Sequence, residues 1–133
     1  MSGVFTWPIR VYWEDTDAGG VVYYANYLKF LERARSEWLR SLGFEQPALI
    51  TQHNGVFVVR RVEADYLLPA RFNDSLLVQT ELETVSKVSL VMRQAVLRGD
   101  DALLTARVTL VWVNEKTFKP ARIPAEILQT LPV

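Results

Sequence analysis

Two spacings of hydrophobic residues divide this chain into a helical part and an extended part. Between about residues 23 and 42, apolar side chains return every three or four positions, with charged side chains between them. That period is typical of an amphipathic α-helix, here about five turns long. Gly43 follows where a C-terminal cap belongs, because glycine readily adopts the left-handed conformation that ends many helices. The apolar positions of this predicted helix are Tyr24, Tyr27, Leu28, Leu31, Ala34, Trp38 and Leu42.

Extended segments lie on both sides of the predicted helix. Residues 6–14 are rich in β-branched and aromatic side chains, which favour a strand, and after Pro47 the chain is again typical of β-structure. We expect strands over residues 55–67, 76–83, 88–98 and 102–114, with a hairpin at 99–101 and a short helix near 125–131. The predicted order is β-loop-α-β-β-β-β. This indicates a single α+β domain, residues 1–133, with one long helix on a five-stranded, mostly antiparallel sheet.

Composition excludes several classes of function. The chain has 133 residues, of which 50% are hydrophobic and 23% charged, as in an ordinary globular domain. Fifteen Lys and Arg balance fifteen Asp and Glu, so no overall positive charge attracts nucleic acid. With no cysteine and with His53 as the single histidine, disulfides, thiol nucleophiles and Cys- or His-rich metal sites are excluded. We expect neither a metal nor a cofactor.

Location and assembly can also be predicted. The first ten residues lack the basic and apolar regions of a signal peptide, and nowhere do 18 apolar residues follow one another. We therefore expect a cytoplasmic protein without a transmembrane segment. One helix covers only one face of a sheet and leaves two open edge strands, so we also expect a homo-oligomer.

The segment between the first strand and the helix contains the candidate chemistry. Glu14, Asp15 and Asp17 stand with two glycines directly before the helix, whose first positions lack the Ser, Thr, Asp or Asn that usually caps a helix. Free N–H groups at such a helix start can hold an oxyanion, and a neighbouring carboxylate can attack a substrate or activate water. The pattern is therefore compatible with a hydrolase. The alternative is that Asp17 caps the helix and that the other acids are solvated.

The same residues carry a resemblance to a known family. The run D-T-D-A-G-G-V-V-Y-Y-x-N-Y, followed by L-E-R-A-R, resembles hotdog-fold acyl-CoA thioesterases of the 4-hydroxybenzoyl-CoA thioesterase type. The likeness is greatest to their YbgC-like, Tol-Pal-associated branch, and it extends from about Ile9 to Pro124. It implies a hotdog fold, in which an antiparallel sheet wraps a long helix, and homodimers or homotetramers. It also implies hydrolysis of acyl-CoA to the free acid and CoA at sites between subunits.

The resemblance assigns two catalytic residues. Asp17 matches the catalytic carboxylate of the family, which acts either as a nucleophile or as the base for water. Tyr24, at the start of the predicted helix, matches the position whose backbone N–H polarises the thioester carbonyl. Members of the YbgC-like branch often have histidine at this position. The tyrosine found here is a poor proton shuttle at neutral pH, because its ordinary pKa is about 10.

A second, looser match concerns CoA. Ser86, Lys87 and Ser89 fall where 4-hydroxybenzoyl-CoA thioesterases place basic and hydroxyl residues that hold the CoA phosphates. The alternative is a polar turn between two strands.

Other candidates favour structural roles. We expect Asp15 to stabilise its turn and Glu32 to pair with Arg35 or Ser36 on the helix. His53 is interpreted as a surface residue rather than a base.

Two other functions on the same fold stay open. One is a non-catalytic module that binds acyl-CoA or an acyl carrier protein, although binding has no use for a carboxylate beside a thioester. The other is a dehydratase acting on hydroxyacyl thioesters, which normally needs a histidine base in the site. His53 lies outside the motif and fits that role poorly.

Overall fold

The computed structural model describes residues 3–132, which form one five-stranded sheet and three α-helices. The strands are β1 (Phe5–Arg10), β2 (Gly55–Tyr66), β3 (Ser75–Val85), β4 (Ser89–Arg98) and β5 (Asp101–Asn114). The helices are α1 (Asn26–Ser41), α2 (Gln46–His53) and α3 (Ala125–Thr130), and a short 3₁₀ turn covers Trp13–Asp15. Within the described residues, no helix has both the length and the apolar character needed to cross a bilayer.

All neighbouring strands of the sheet are antiparallel, in the order β1-β3-β4-β5-β2. Strands β3, β4 and β5 follow one another through short turns, whereas β2 joins the sheet on the far side of β5. The open edges are therefore β1 and β2. The predicted α+β class, the five antiparallel strands and the single long helix are confirmed.

The hydrophobic core lies between α1 and one face of the sheet. Along β4 every second side chain is buried, as a strand with one covered face requires. The buried side of α1 consists of Tyr27, Phe30, Leu31, Ala34, Trp38 and Leu39. The helix ends as predicted, because Gly43 adopts a φ of 96° and its N–H bonds the carbonyl of Arg40.

Two polar side chains are enclosed in this core beside each other. Thr80 on β3 and Gln94 on β4 are directly opposite in the sheet, and both are almost completely buried. The Gln94 Nε2 donates to the Thr80 hydroxyl at 2.9 Å and to the Leu31 carbonyl at 3.0 Å, and its Oε1 accepts from Arg35 at 3.0 Å. Burial lowers the pKa of Arg35. The buried amide thus has its hydrogen-bonding groups paired inside the chain.

Two predicted boundaries near the candidate site are wrong. The first strand ends at Arg10 instead of continuing to residue 14, because the chain tightens into the 3₁₀ turn, where Thr16 N–H bonds the Trp13 carbonyl at 3.0 Å. The long helix begins at Asn26 rather than near residue 23. Residues 23–26 form a separate turn in which Asn26 N–H bonds the Tyr23 carbonyl at 2.8 Å. Tyr24 therefore lies just before the helix and does not open it.

Helix α2 was not predicted, since the chain after Pro47 was expected to be extended. Pro47 stands in the first turn of α2, where its missing N–H costs no helical hydrogen bond. The helix buries mainly Leu49 and has little amphipathic character, which explains why no helical period is visible there. It ends at His53 and is capped by Asn54, whose φ of 54° is left-handed.

Candidate functional site

A tight loop between β1 and α1 presents Asp17. The N–H of Asp17 bonds the Val21 carbonyl at 2.9 Å, and the Asp17 carbonyl accepts from Gly20 N–H at 3.0 Å. Gly20 has a φ of 80°, which a side chain would strain, so the glycine is required by this turn. The loop therefore has a defined backbone conformation around the aspartate.

The two aspartates of the loop have opposite environments. Asp15 is buried, and its Oδ2 accepts from Tyr12 N–H at 2.8 Å, so it stabilises the turn as expected. Asp17 is exposed, and its Oδ1 accepts from Gly19 N–H at 2.8 Å. Among residues 3–132 nothing donates to the second oxygen of Asp17. One carboxylate oxygen is therefore free for chemistry, and the alternative in which Asp17 caps the helix is wrong.

The start of α1 is anchored to this loop through Asp15. The Asp15 carbonyl accepts from Tyr23 N–H at 2.9 Å and from the Asn26 side-chain amide at 3.0 Å. The pKa of the Tyr23 hydroxyl is raised chiefly by its interaction with Tyr24, and also by the negative charge of Asp17. The bonds to the Asp15 carbonyl thus tie the segment before α1 to the loop that contains Asp17.

Backbone donors are free at this helix start. Ala25 is the N-cap, and no side chain caps the helix there, as the sequence predicted. Within the described part of the chain, neither Tyr24 N–H nor Ala25 N–H has a hydrogen-bond acceptor. Unpaired N–H groups and the positive end of the helix dipole favour negative charge at such a position. The arrangement can therefore hold a developing oxyanion.

A second loop, residues 69–74, supports the first. Val22 N–H bonds the Ala70 carbonyl at 2.8 Å, and Ala70 N–H donates to the buried Tyr27 hydroxyl at 2.9 Å. Asp74 closes this loop by accepting from Arg71 N–H and from the Arg98 guanidinium at 2.8 Å. Burial alone would raise the pKa of Asp74, but these bonds outweigh it and hold the pKa below its usual range.

An open cleft of about 280 Å³ lies between the start of α1 and the segment at the end of β2. Its walls are apolar and aromatic, with tyrosine hydroxyls as the only side-chain polar groups. The lining residues are Val22, Tyr24, Tyr27, Tyr66, Leu67, Leu68 and Pro69. An uncharged organic group fits such a lining.

The predicted CoA contacts lie far from this loop within one chain. Ser86 and Lys87 lie in the turn after β3 and Ser89 begins β4, whereas Val11, just before the Asp17 loop, bonds Asp74 at the opposite end of β3. The 11 residues of β3 separate the two ends by roughly 33 Å. The Ser86 hydroxyl bonds Ser89 Oγ at 2.7 Å and accepts from Ser89 N–H at 2.9 Å. One chain therefore does not bring these residues to Asp17.

Glu32 and His53, the two other candidates, contact neighbouring side chains of the fold. Glu32 accepts from the Ser36 hydroxyl at 2.7 Å, one of the two partners expected for it. His53 was expected at the surface, but its side chain is only 17% exposed and packs 3.7 Å from the carboxylate of Glu126. Within residues 3–132, no group of three or more His, Asp or Glu could hold a metal ion.

Tyr66, the last residue of β2, was not predicted to lie near the site. Its hydroxyl donates to the Tyr24 carbonyl at 2.9 Å, and burial raises the pKa of this hydroxyl. No pattern in the sequence connects two positions 42 residues apart.

Comparison with known proteins identifies the family. Residues 11–131 match the Thioesterase-like superfamily. This chain belongs to that superfamily. It is 45% identical to the acyl-CoA thioester hydrolase YbgC of Escherichia coli over 126 residues, which cover 94% of this chain and 93% of that protein.

Solved structures agree with this membership. A probable thioesterase from Bartonella henselae is 37% identical, with a TM-score of 0.88 over 91% of this chain and 99% of the other. A crystal structure of 4-hydroxybenzoyl CoA thioesterase has a TM-score of 0.89 over 97% and 99% of the two chains, at 20% identity, and shows the shared fold. The predicted hotdog fold, YbgC-like branch and acyl-CoA thioesterase class are confirmed.

Proposed function

We propose that this thioesterase cleaves acyl-CoA with Asp17 as the catalytic carboxylate and with Tyr24 N–H as a donor to the oxyanion. The observation that carries the proposal is that one segment contains both a carboxylate with one free oxygen and an uncapped helix start. Both groups are attached to the same short segment through Asp15. A thioester carbonyl needs a nucleophile on one side and a hydrogen-bond donor for its oxygen.

The reaction has two routes that this geometry supports equally. In the first, Asp17 takes a proton from water, whose oxygen bonds the carbonyl carbon; the C–S bond then breaks and CoA leaves as a thiolate. In the second, Asp17 itself attacks and CoA leaves, forming an acyl-enzyme anhydride that water then hydrolyses. In both, negative charge develops on the carbonyl oxygen, where the free N–H groups stabilise it.

Assembly into dimers or tetramers completes the site in this proposal. Strand β2 is an open edge, and it ends at Tyr66 beside the cleft. Val59 and Val62 on this strand are exposed, which is unfavourable for a monomer in solution. A second copy paired along β2 covers these side chains and places further residues at the cleft.

The predicted CoA residues fit the same assembly. Because Ser86, Lys87 and Ser89 lie at the far end of β3, we expect a CoA molecule bound at Asp17 to meet them on another copy. Lys87 is exposed and supplies the positive charge that a phosphate favours. An acyl carrier protein as a binding partner stays a prediction.

Substitution of Asp17 by Asn tests the assignment. Asp17→Asn keeps the shape and removes the charge, so we expect turnover to fall by at least roughly a hundredfold. Binding of CoA, measured by calorimetry, should be retained. A non-catalytic binding module would show no hydrolysis even in the wild-type protein.

Asp15→Asn is the matched control, since Asp15 is the other aspartate of the same loop. We expect it to affect thermal stability more than turnover, because Asp15 is buried and bonded. Turnover of Asp17→Asn near that of the wild type would contradict the mechanism. Equal losses in both variants with folding intact would mean that the two acids share the work.

A further inference from the structure

The peptide units just before α1 are fixed from their carbonyl sides. The Tyr23 carbonyl accepts from Asn26 N–H at 2.8 Å. The Tyr24 carbonyl is not used by the helix, because Leu28 N–H bonds the Ala25 carbonyl at 3.1 Å. Its partner is the Tyr66 hydroxyl at 2.9 Å.

These two carbonyls determine where the free N–H groups point. A peptide unit is planar and its C=O and N–H lie on opposite sides, so holding the carbonyl fixes the N–H of the next residue. The bond to the Tyr23 carbonyl thus orients Tyr24 N–H, and the bond from Tyr66 orients Ala25 N–H. Both N–H groups stand at the N-terminal end of α1, where Ala25 is the N-cap with a φ of −70° and a ψ of −22°, and backbone N–H groups at such an end lack intrahelical acceptors.

Tyr66 is itself held firmly enough to orient a peptide. Its backbone pairs with Leu104 of β5, at the last position of the longest strand pair. Its ring meets the buried Tyr27 edge to face at a centroid distance of 5.5 Å and the Tyr24 ring at 6.3 Å. The hydroxyl is a neutral donor at physiological pH, since burial raises its pKa.

We infer that Tyr66 is a positioning residue for catalysis: its hydroxyl holds the Tyr24–Ala25 peptide so that Ala25 N–H joins Tyr24 N–H as a second donor to the oxyanion. This inference rests on the proposed function, because it gives a role in that mechanism to a residue that does not touch the reacting atoms. Two backbone donors stabilise the developing charge better than one. The edge strand β2 thereby controls the geometry of the helix start.

Tyr66→Phe tests the inference, because it retains the ring contacts and removes only the O–H. We expect kcat to fall about three- to tenfold, the worth of one ordinary hydrogen bond, while KM changes less than about twofold. The shape of the pH–rate profile should not change, since the hydroxyl moves no proton. The ¹⁵N resonance of Ala25 should shift, because the carbonyl of its own peptide unit loses its partner.

Tyr12→Phe is the control, because it removes a hydroxyl from an exposed tyrosine ring outside the cleft. It should leave kcat and the Ala25 resonance as in the wild type. An unchanged kcat in Tyr66→Phe, a loss confined to KM, or an altered alkaline limb of the pH profile would each overturn the positioning role. Failure of the proposed function itself is recognised separately, since Asp17→Asn would then retain turnover.

Discussion

The layer beneath α1 and the surface formed by the end of β2, the Asp17 loop and the start of α1 show opposite relations between polarity and burial. Under α1, Gln94 and Thr80 are buried polar groups, and each finds its partner within the chain. Along the β2 edge, Val62 and Tyr66 are apolar or aromatic groups left exposed at 38% and 46%. In the first region one chain supplies all the hydrogen-bond partners. The second region has exposed apolar side chains and backbone N–H groups without acceptors.

This difference separates stability from activity. A region whose polar groups are all paired contributes to the folding free energy. A substitution there should therefore lower the free energy of unfolding. A region with a free carboxylate oxygen, free N–H groups and uncovered side chains contributes little to folding. Substitutions there should lower the turnover rate or weaken the association between copies.

The largest expected effect is in the second region. Tyr24→Pro removes one free N–H, and proline suits the second position of the 23–26 turn, so the fold should survive. Loss of one oxyanion donor costs about 3 to 4 kcal/mol, so turnover should fall roughly a hundred- to a thousandfold. Steady-state kinetics measures the loss, and circular dichroism checks folding.

Three further substitutions separate the Tyr24 backbone from its side chain. Tyr24→Ala is the reference for losing the ring, whereas Tyr24→Phe and Tyr24→His keep the N–H and should be mild. If Tyr24→Phe were as inactive as Tyr24→Pro, the hydroxyl would be the catalytic group. The backbone account would then be wrong.

The next effect concerns the first region. Gln94→Ala leaves the Thr80 hydroxyl and the largely buried Arg35 guanidinium without their partner and opens a cavity. We expect a loss of about 2 to 4 kcal/mol in the free energy of unfolding, measured in urea, with kcat of the folded protein unchanged.

Arg93→Ala is the matched control, because Arg93 precedes Gln94 on the same strand and points to the exposed face. It should cost less than about 0.5 kcal/mol. Should Gln94→Ala reduce kcat while leaving the unfolding free energy intact, the two regions would not be separable in the way argued above.

The same contrast explains what could be predicted from the sequence. The positions of α1 are visible because Leu31, Ala34 and Trp38 return at a helical period and are buried together. The helix was extended too far towards its start because Tyr24 continues that period, although its side chain is exposed. Local patterns indicate which face of a helix or strand is buried. They do so well where other parts of the same chain cover that face.

The site was predictable only in part. Asp17 and its loop are contiguous in sequence, and the missing N-cap was visible as the absence of a capping residue type. The bond from Tyr66 to Tyr24 joins residues brought together by the path of β2, and no short pattern contains it. Neither is there a sequence signal for what covers Val62, because an exposed valine looks the same as a buried one.

The smallest expected effect concerns assembly through the β2 edge. Val62→Lys places a charge on the exposed edge strand, a device that discourages pairing of strands between copies. Loss of one buried valine contact should weaken association by about 1 to 2 kcal/mol, which raises the dissociation constant roughly tenfold. Light scattering over a concentration series, with the wild type a dimer or tetramer at micromolar concentration, measures the shift.

Leu77→Lys introduces the same charge at an exposed position on β3, away from that edge, and should leave association unchanged. Equal effects of the two substitutions, or a wild-type monomer of 15.2 kDa that still hydrolyses acyl-CoA, would remove β2 from the assembly and the second copy from the site.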